Sequence, residues 1–309
     1  MDEAGPGRGQ QSVVLAALYL RGLGHSVPAP KASWPTVIGL LREHGADRQV
    51  LIELLHSLNF SEAASCLADD QRYAGAIEAL EEGRLLSVAD ATFPTRWWKA
   101  LGSHAPPVLW RKGRLQSTQM VGVVGSRTPS PKGKKLAIQA GKLIAQRSSM
   151  VVSGGAIGID QAAVSGALEV QDDPTLAALE IYPYGLERAL ERSTVGLSLS
   201  APFGDFTTAG AMERNMLIYA AASHTLVIEP RFRQGGTWHG AVEALRRKLT
   251  HVIIFTKGDS AAVRTLVALG ASPMDNIEEL PGLLELPAPI SQPELFGAQD
   301  VRELFAQFA

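Results

Sequence analysis

From Met120 to Thr256 the chain alternates short hydrophobic runs with amphipathic segments that follow glycine-rich turns. Strands are predicted at 120–126, 150–155, 175–181, 195–201, 224–230 and 251–256, and helices at 132–147, 158–169, 211–223 and 236–248. Such an alternation folds into an α/β domain, a mostly parallel sheet with helices on both faces. In that architecture ligands bind where strands end and helices begin. The chain of 309 residues is long enough for a second unit. Residues 11–84 read as short helices, with Ser33 expected to cap a helix ending at Gly45 and Asp47 near the start of the next. The expected division is a small all-helical N-terminal domain over 1–84 and a core over 85–270. An acidic tail over 271–309 is expected to carry one helix, AQDVRELFAQF. Leu85–Val88 reads as a first short strand, and the Pro- and Trp-rich stretch over 91–113 as a connector.

Charge is segregated along the chain. The net charge is −2, but residues 1–90 hold 7 basic and 12 acidic residues and residues 271–309 hold 1 and 7. The middle is left with a surplus of nine positive charges, and residues 111–147 hold nine basic residues and no acid. A basic centre between acidic flanks suits a polyanionic partner. The single cysteine, Cys66, makes neither an internal disulfide nor a thiolate metal site, which points to a reducing cytoplasm. No run of about 20 apolar residues suggests a membrane span. The first residues lack the basic region of a signal peptide.

Four segments at strand ends carry candidate chemistry. In 123–133, Gly125 permits a tight turn, Ser126 offers a hydroxyl and Arg127 offers a planar fork suited to phosphate. The next helix adds N–H groups at its start, with Lys132, Lys134 and Lys135 on it. A solvated arginine on an ordinary turn is the alternative. In 152–160, Ser153, Gly154, Gly155 and Gly158 allow close backbone approach to an anion. Asp160 there either caps a helix or holds a sugar hydroxyl. Arg214 and Asn215 begin a helical run, Arg214 contacting a ligand or pairing with a carboxylate such as Glu229. Gly235, Gly236 and Thr237 form a last loop, flanked by Arg231 and Arg233. Trp238 beside it is expected in the core, and His224 is expected to be structural. No His or Cys spacing suggests a metal, no GxSxG elbow is present, and no cofactor is expected.

In order, GSRTPSPKG, SGGAIGID, SAPFG, MERN and GGTW resemble the motifs of the DNA-processing protein A family, also called DprA or Smf. The resemblance covers about 85–258. It implies an extended Rossmann-like core that binds single-stranded DNA, protects it, loads the RecA recombinase on it during recombination or natural transformation, and works as a homodimer. Gly125, Ser126 and Arg127 match its phosphate-gripping turn, and Ser153 to Asp160 match its second loop. Arg214 and Asn215 match two residues of its RNR segment, and Gly236 and Thr237 its last loop. Val164, Ala201 and Met216 depart from the pattern. The family's C-terminal winged helix finds little room after Gly270. LOG-type enzymes of the same broader fold cleave the bond between base and ribose phosphate. They carry a catalytic Glu three positions after the loop threonine, where this chain has Gly240. A nucleotide sensor or a hydrolase of that type is the alternative, with Glu243 as its nearest carboxylate.

Overall fold

A computed structural model describes residues 6–116, 118–188, 195–257 and 260–289. Five helices come first: α1 (Pro6–Tyr19), α2 (Trp34–His44), α3 (Arg48–Ser57), α4 (Ser61–Ala68) and α5 (Asp70–Glu81). Then follow β1 (Leu85–Ser87), α6 (Thr95–Leu101), β2 (Val108–Lys112), β3 (Met120–Gly125), α7 (Pro131–Gln146), β4 (Met150–Ser153) and α8 (Ile159–Leu168). The short α9 (Pro174–Ala177) leads into β5 (Ala178–Tyr182), β6 (Gly196–Ser198), α10 (Thr208–Ala221), β7 (His224–Ile228) and α11 (Gly235–Arg246). The described chain ends with β8 (His251–Phe255), α12 (Ser260–Ala268), β9 (Ser272–Met274) and α13 (Leu280–Leu283).

The nine strands form one sheet in the order β1-β2-β6-β5-β4-β3-β7-β8-β9. The pairs β1–β2 and β2–β6 are antiparallel and the others parallel. The fold is therefore the Rossmann-like, mostly parallel α/β sheet expected, with a helical region before it. Alternation along the strands assigns the two faces. Val121, Val123, Val151, Leu226 and Ile253 point into a core under α7 and α8. Val124, Val152, Val227, Val252 and Ile254 point into a core under α10 and α11. This second core continues without a break into α1–α5.

Several local expectations change. Ser33 does not cap α2; it already has helical φ and ψ after a 3₁₀ turn, and its hydroxyl bonds to Pro30 O (2.7 Å) and meets the Tyr19 hydroxyl (2.9 Å). Asp47 does cap α3, accepting from Val50 N at 3.0 Å. The strand expected from 175 starts at Ala178, because Asp173 caps a helical turn over 174–177. The supposed connector folds into α6 and β2. Trp97 is fully buried and its Nε1 donates to Leu217 O (2.9 Å), while Trp98 packs tilted against Trp34 with ring centroids 4.4 Å apart. β9 lies beyond residue 270, where the core was expected to end. The helix expected over 298–308 lies outside the described residues.

Candidate functional site

The strand order turns back between β3 and β7, and the crevice at such a switch point faces the C-terminal strand ends. A cleft of about 1000 Å³ opens there. Gly125–Thr128 form one wall and α11 with Arg247 just after it another; α10 completes it. Three loops build its head and are tied to one another. Thr237 Oγ1 donates to Gly125 O (2.9 Å), Ile159 N to Ser126 O (3.1 Å) and Arg231 Nη2 to Thr128 Oγ1 (2.6 Å). Gly158 makes the contact between the first two loops possible. Its φ is +97°, and an added Cβ would stand 2.4 Å from Ser126 O.

Arg127 is exposed at this head, and among the described residues it has no hydrogen-bond or ion-pair partner. At the same head α11 begins without a side-chain cap, so the N–H groups of Gly235, Gly236 and Thr237 lack the carboxyl or hydroxyl that closes most helix starts. Asn215 lies over Gly236, and Tyr219, one turn on, lies over Gly240. The small residues let α10 and α11 approach closely. The Tyr219 hydroxyl is buried without a hydrogen-bond partner among the described residues.

Other expected residues are placed differently. Arg214 is only 5% exposed; its Nη1 donates to Gly154 O (2.5 Å) and Ile181 O (2.7 Å), and its Nε to Asn215 Oδ1 (3.0 Å). It forms the floor of the cleft. Its carboxylate neighbour is Asp160, not Glu229. A Cβ at Gly154 would lie 2.5 Å from Arg214 Nη1 and 2.8 Å from Asp160 Oδ2, so only glycine leaves room for the pair. Asp160 is not the helix cap either: Gly158 holds that position, and Asp160 reaches back to accept from Gly154 N (3.1 Å). Burial raises its carboxyl to about 6, against the Arg214 cation and several N–H donors. Ser153 does not line the cleft; its buried hydroxyl donates to Val123 O (2.7 Å) and stands beside the Asp160 carboxyl, and Gly155 packs on the Tyr182 ring. Ser126 Oγ accepts from Thr128 N (3.1 Å).

The start of α7 is closed to anions by the protein itself. Glu229 accepts from Ser130 N (2.9 Å) and from the Ser130 hydroxyl, taking the position a phosphate would occupy. Lys132, Lys134 and Lys135 are exposed on α7 and do not line the cleft. Lys132 and Lys135 border a separate depression with Lys257, Asp275 and Glu278. Trp238 is buried edge-on to Phe232, and His224 is buried against Leu286 O (2.9 Å), as their sequence contexts suggested. The lining residues Phe206, Arg246 and Arg247 lie outside the motifs of the sequence, and Met212 enters there only as the first residue of MERN. No group of three or more metal-ligating side chains occurs among the described residues, and no helix is long and apolar enough to cross a membrane.

A DNA processing protein DprA of Mycobacterium tuberculosis is 28% identical over 224 residues, covering 64% of this chain and 57% of the relative. The chain thus spans little more than half the length of that relative. The DNA processing protein A of Streptococcus pneumoniae superposes with a TM-score of 0.66 at 18% identity, over 89% of this chain and 97% of that one. A structure describing the single-stranded DNA binding mode of DNA processing protein A from Helicobacter pylori gives 0.51 at 20% identity, over 58% of this chain and 87% of that one. Residues 84–284, from β1 through α13, match the profile described as DNA recombination-mediator protein A. That match contains every strand of the sheet and all the loops around the cleft, so the chain belongs to the DNA recombination-mediator protein A (DprA/Smf) family.

Proposed function

We propose that the chain binds single-stranded DNA in this cleft without catalysing a reaction. In the cytoplasm it would protect such strands, load RecA on them and work as a homodimer, in recombination or natural transformation. The observation that carries the reading is Arg127, a cation without a hydrogen-bond or ion-pair partner among the described residues, at the head of a cleft that also takes in the uncapped start of α11. The shape adds support. The cleft follows α11 for about 18 Å, given about 1.5 Å of rise per residue, and ends at Arg246 and Arg247. A groove of that length suits a chain of nucleotides better than one. Gly240, at the offset where LOG-type enzymes carry their acid, packs on the Tyr219 ring, where a Cβ would stand 2.8 Å from Cε2.

Backbone contacts make binding salt-dependent, with a log–log slope of about −0.7 per phosphate neutralised. Arg127→Ala should lower that slope by about 0.7, which at 0.1 M salt is about fivefold in affinity. The loss should be the same for all sequences, with an unchanged melting temperature. Fluorescence anisotropy with a labelled 20-nucleotide strand reads both. Absence of binding at low salt, or release of free base from a nucleoside monophosphate, would overturn the reading.

A further inference from the structure

The N-terminal helices have no task in that reading, yet one of their loops reaches the cleft. No Asp or Glu occurs between Glu3 and Glu43, so the α1–α2 loop is basic although the region as a whole is acidic. The loop is fixed from within. Arg72, fully buried, donates to Ala17 O, Leu20 O (2.6 Å), Leu23 O (2.7 Å) and Ser26 O (2.9 Å). Trp110 Nε1 on β2 donates to Arg21 O (2.8 Å). Gly22, with φ +82°, lies so close to the core that an added Cβ would stand 2.1 Å from Ala201 Cβ.

This anchoring delivers two cations to α10. Arg21 Nη2 contacts Glu213 Oε2 at 2.9 Å, and Lys31 Nζ contacts Glu213 Oε1. Glu213 lines the cleft. Burial alone would raise its carboxyl, but the Lys31 and Arg21 cations hold it below the usual carboxylate range. The cluster carries one net positive charge, and its arginine and lysine side chains remain 46% and 42% exposed.

We propose that Arg21 and Lys31, held on Glu213, form a second phosphate site at the rim of the cleft, so that the N-terminal helical region is part of the DNA-binding surface. The inference rests on the reading of the cleft as a single-strand site. A lone Glu213 at this rim would repel a phosphodiester backbone; with its two cations it attracts one.

The test is anisotropy of the full chain with a 20-nucleotide strand across 50–300 mM salt. Arg21→Ala/Lys31→Ala changes the cluster by two charges, so the slope should fall by about 1.4 and the affinity at 0.1 M salt about 25-fold. Glu213→Gln adds one net positive charge and should steepen the slope by about 0.7 and tighten binding about fivefold. Wild-type affinity and slope in a double variant that melts like wild type would overturn the proposal. If that variant melts early, Glu213→Gln decides, and unchanged binding there overturns it. Wild-type protein that binds no strand refutes the reading of the cleft instead.

Discussion

Asp160 and Arg214 share the cleft floor, and whether burial or attraction prevails there sets the response to acid. Burial wins for the carboxyl, lifting it from 3.8 to about 6 even though Arg214 and the Gly154 and Ala156 N–H groups lower it. A carboxyl raised on folding holds its proton more tightly in the native than in the unfolded chain. Stability from this group is therefore greatest below about pH 4, falls as pH rises to about 6, and is level above. At about 1.4 kcal/mol per pH unit the interval corresponds to roughly 3 kcal/mol. Urea unfolding of wild type and Asp160→Asn, from pH 4 to 7.5, should give a difference in free energy that changes by about 2 kcal/mol between pH 4 and 6 and levels off by about pH 7. The same protonation leaves Arg214 uncompensated beneath the cleft. Oligonucleotide affinity should then rise as pH falls through 6, and Asp160→Asn should lack this rise. His239 also lines the cleft, so both proteins are compared in a His239→Gln background. A flat difference between pH 4 and 6, or wild type gaining stability over Asp160→Asn as pH rises through that window, would show that attraction to Arg214 prevails and would refute the argument.

Two further outcomes follow from the loops at the head of the cleft. Glu229→Gln removes the carboxylate at the start of α7 and should cost about 1 kcal/mol in thermal or urea melting. It should also strengthen oligonucleotide binding several-fold, since one negative charge leaves the cleft wall; weaker binding would mean that Glu229 itself holds the strand. Gly158→Ala places a Cβ against Ser126 O in a left-handed backbone and should destabilise by about 2 kcal/mol or more. A change within about 0.5 kcal/mol in urea unfolding would show that the two loops separate without cost.

The sheet and its helices were legible because their signals are local. Ser130 followed by Pro131 starts α7, and the Ser130 hydroxyl accepts from Gly133 N at 3.0 Å. The all-buried β3, MVGVVG, reads as a central strand. The Trp-rich stretch was not legible, because α6 is fixed by contacts with residues far along the chain, such as Trp97 with Leu217 and Trp98 with Trp34. The same distinction divides the site. Gly125, Gly158 and Gly235 announce turns from their own neighbourhoods. Arg214 does not announce its direction, since its role as floor depends on how α10 is rotated against β4 and β5, which no helical period reveals.

Charge shows the limit most directly. Of the nine basic residues between 111 and 147, Arg127 is the one that lines the cleft among the described residues. Lys142 and Arg147 pair with Glu169 and Glu285, and Arg111 bonds to Gly83 O. Arg21 and Lys31 come from the acidic N-terminal flank and yet stand at the rim. A segment's net charge sums side chains that face every direction, whereas a phosphate responds to those within about a Debye length, near 10 Å at 0.1 M salt. The surplus of nine in the centre of the chain is therefore a poor measure of the field in the cleft. That field is set by Arg127, Arg214, Arg231, Arg246 and Arg247, by the Arg21–Glu213–Lys31 cluster, and by the carboxylates of Asp160, Glu229 and Glu243 that oppose them.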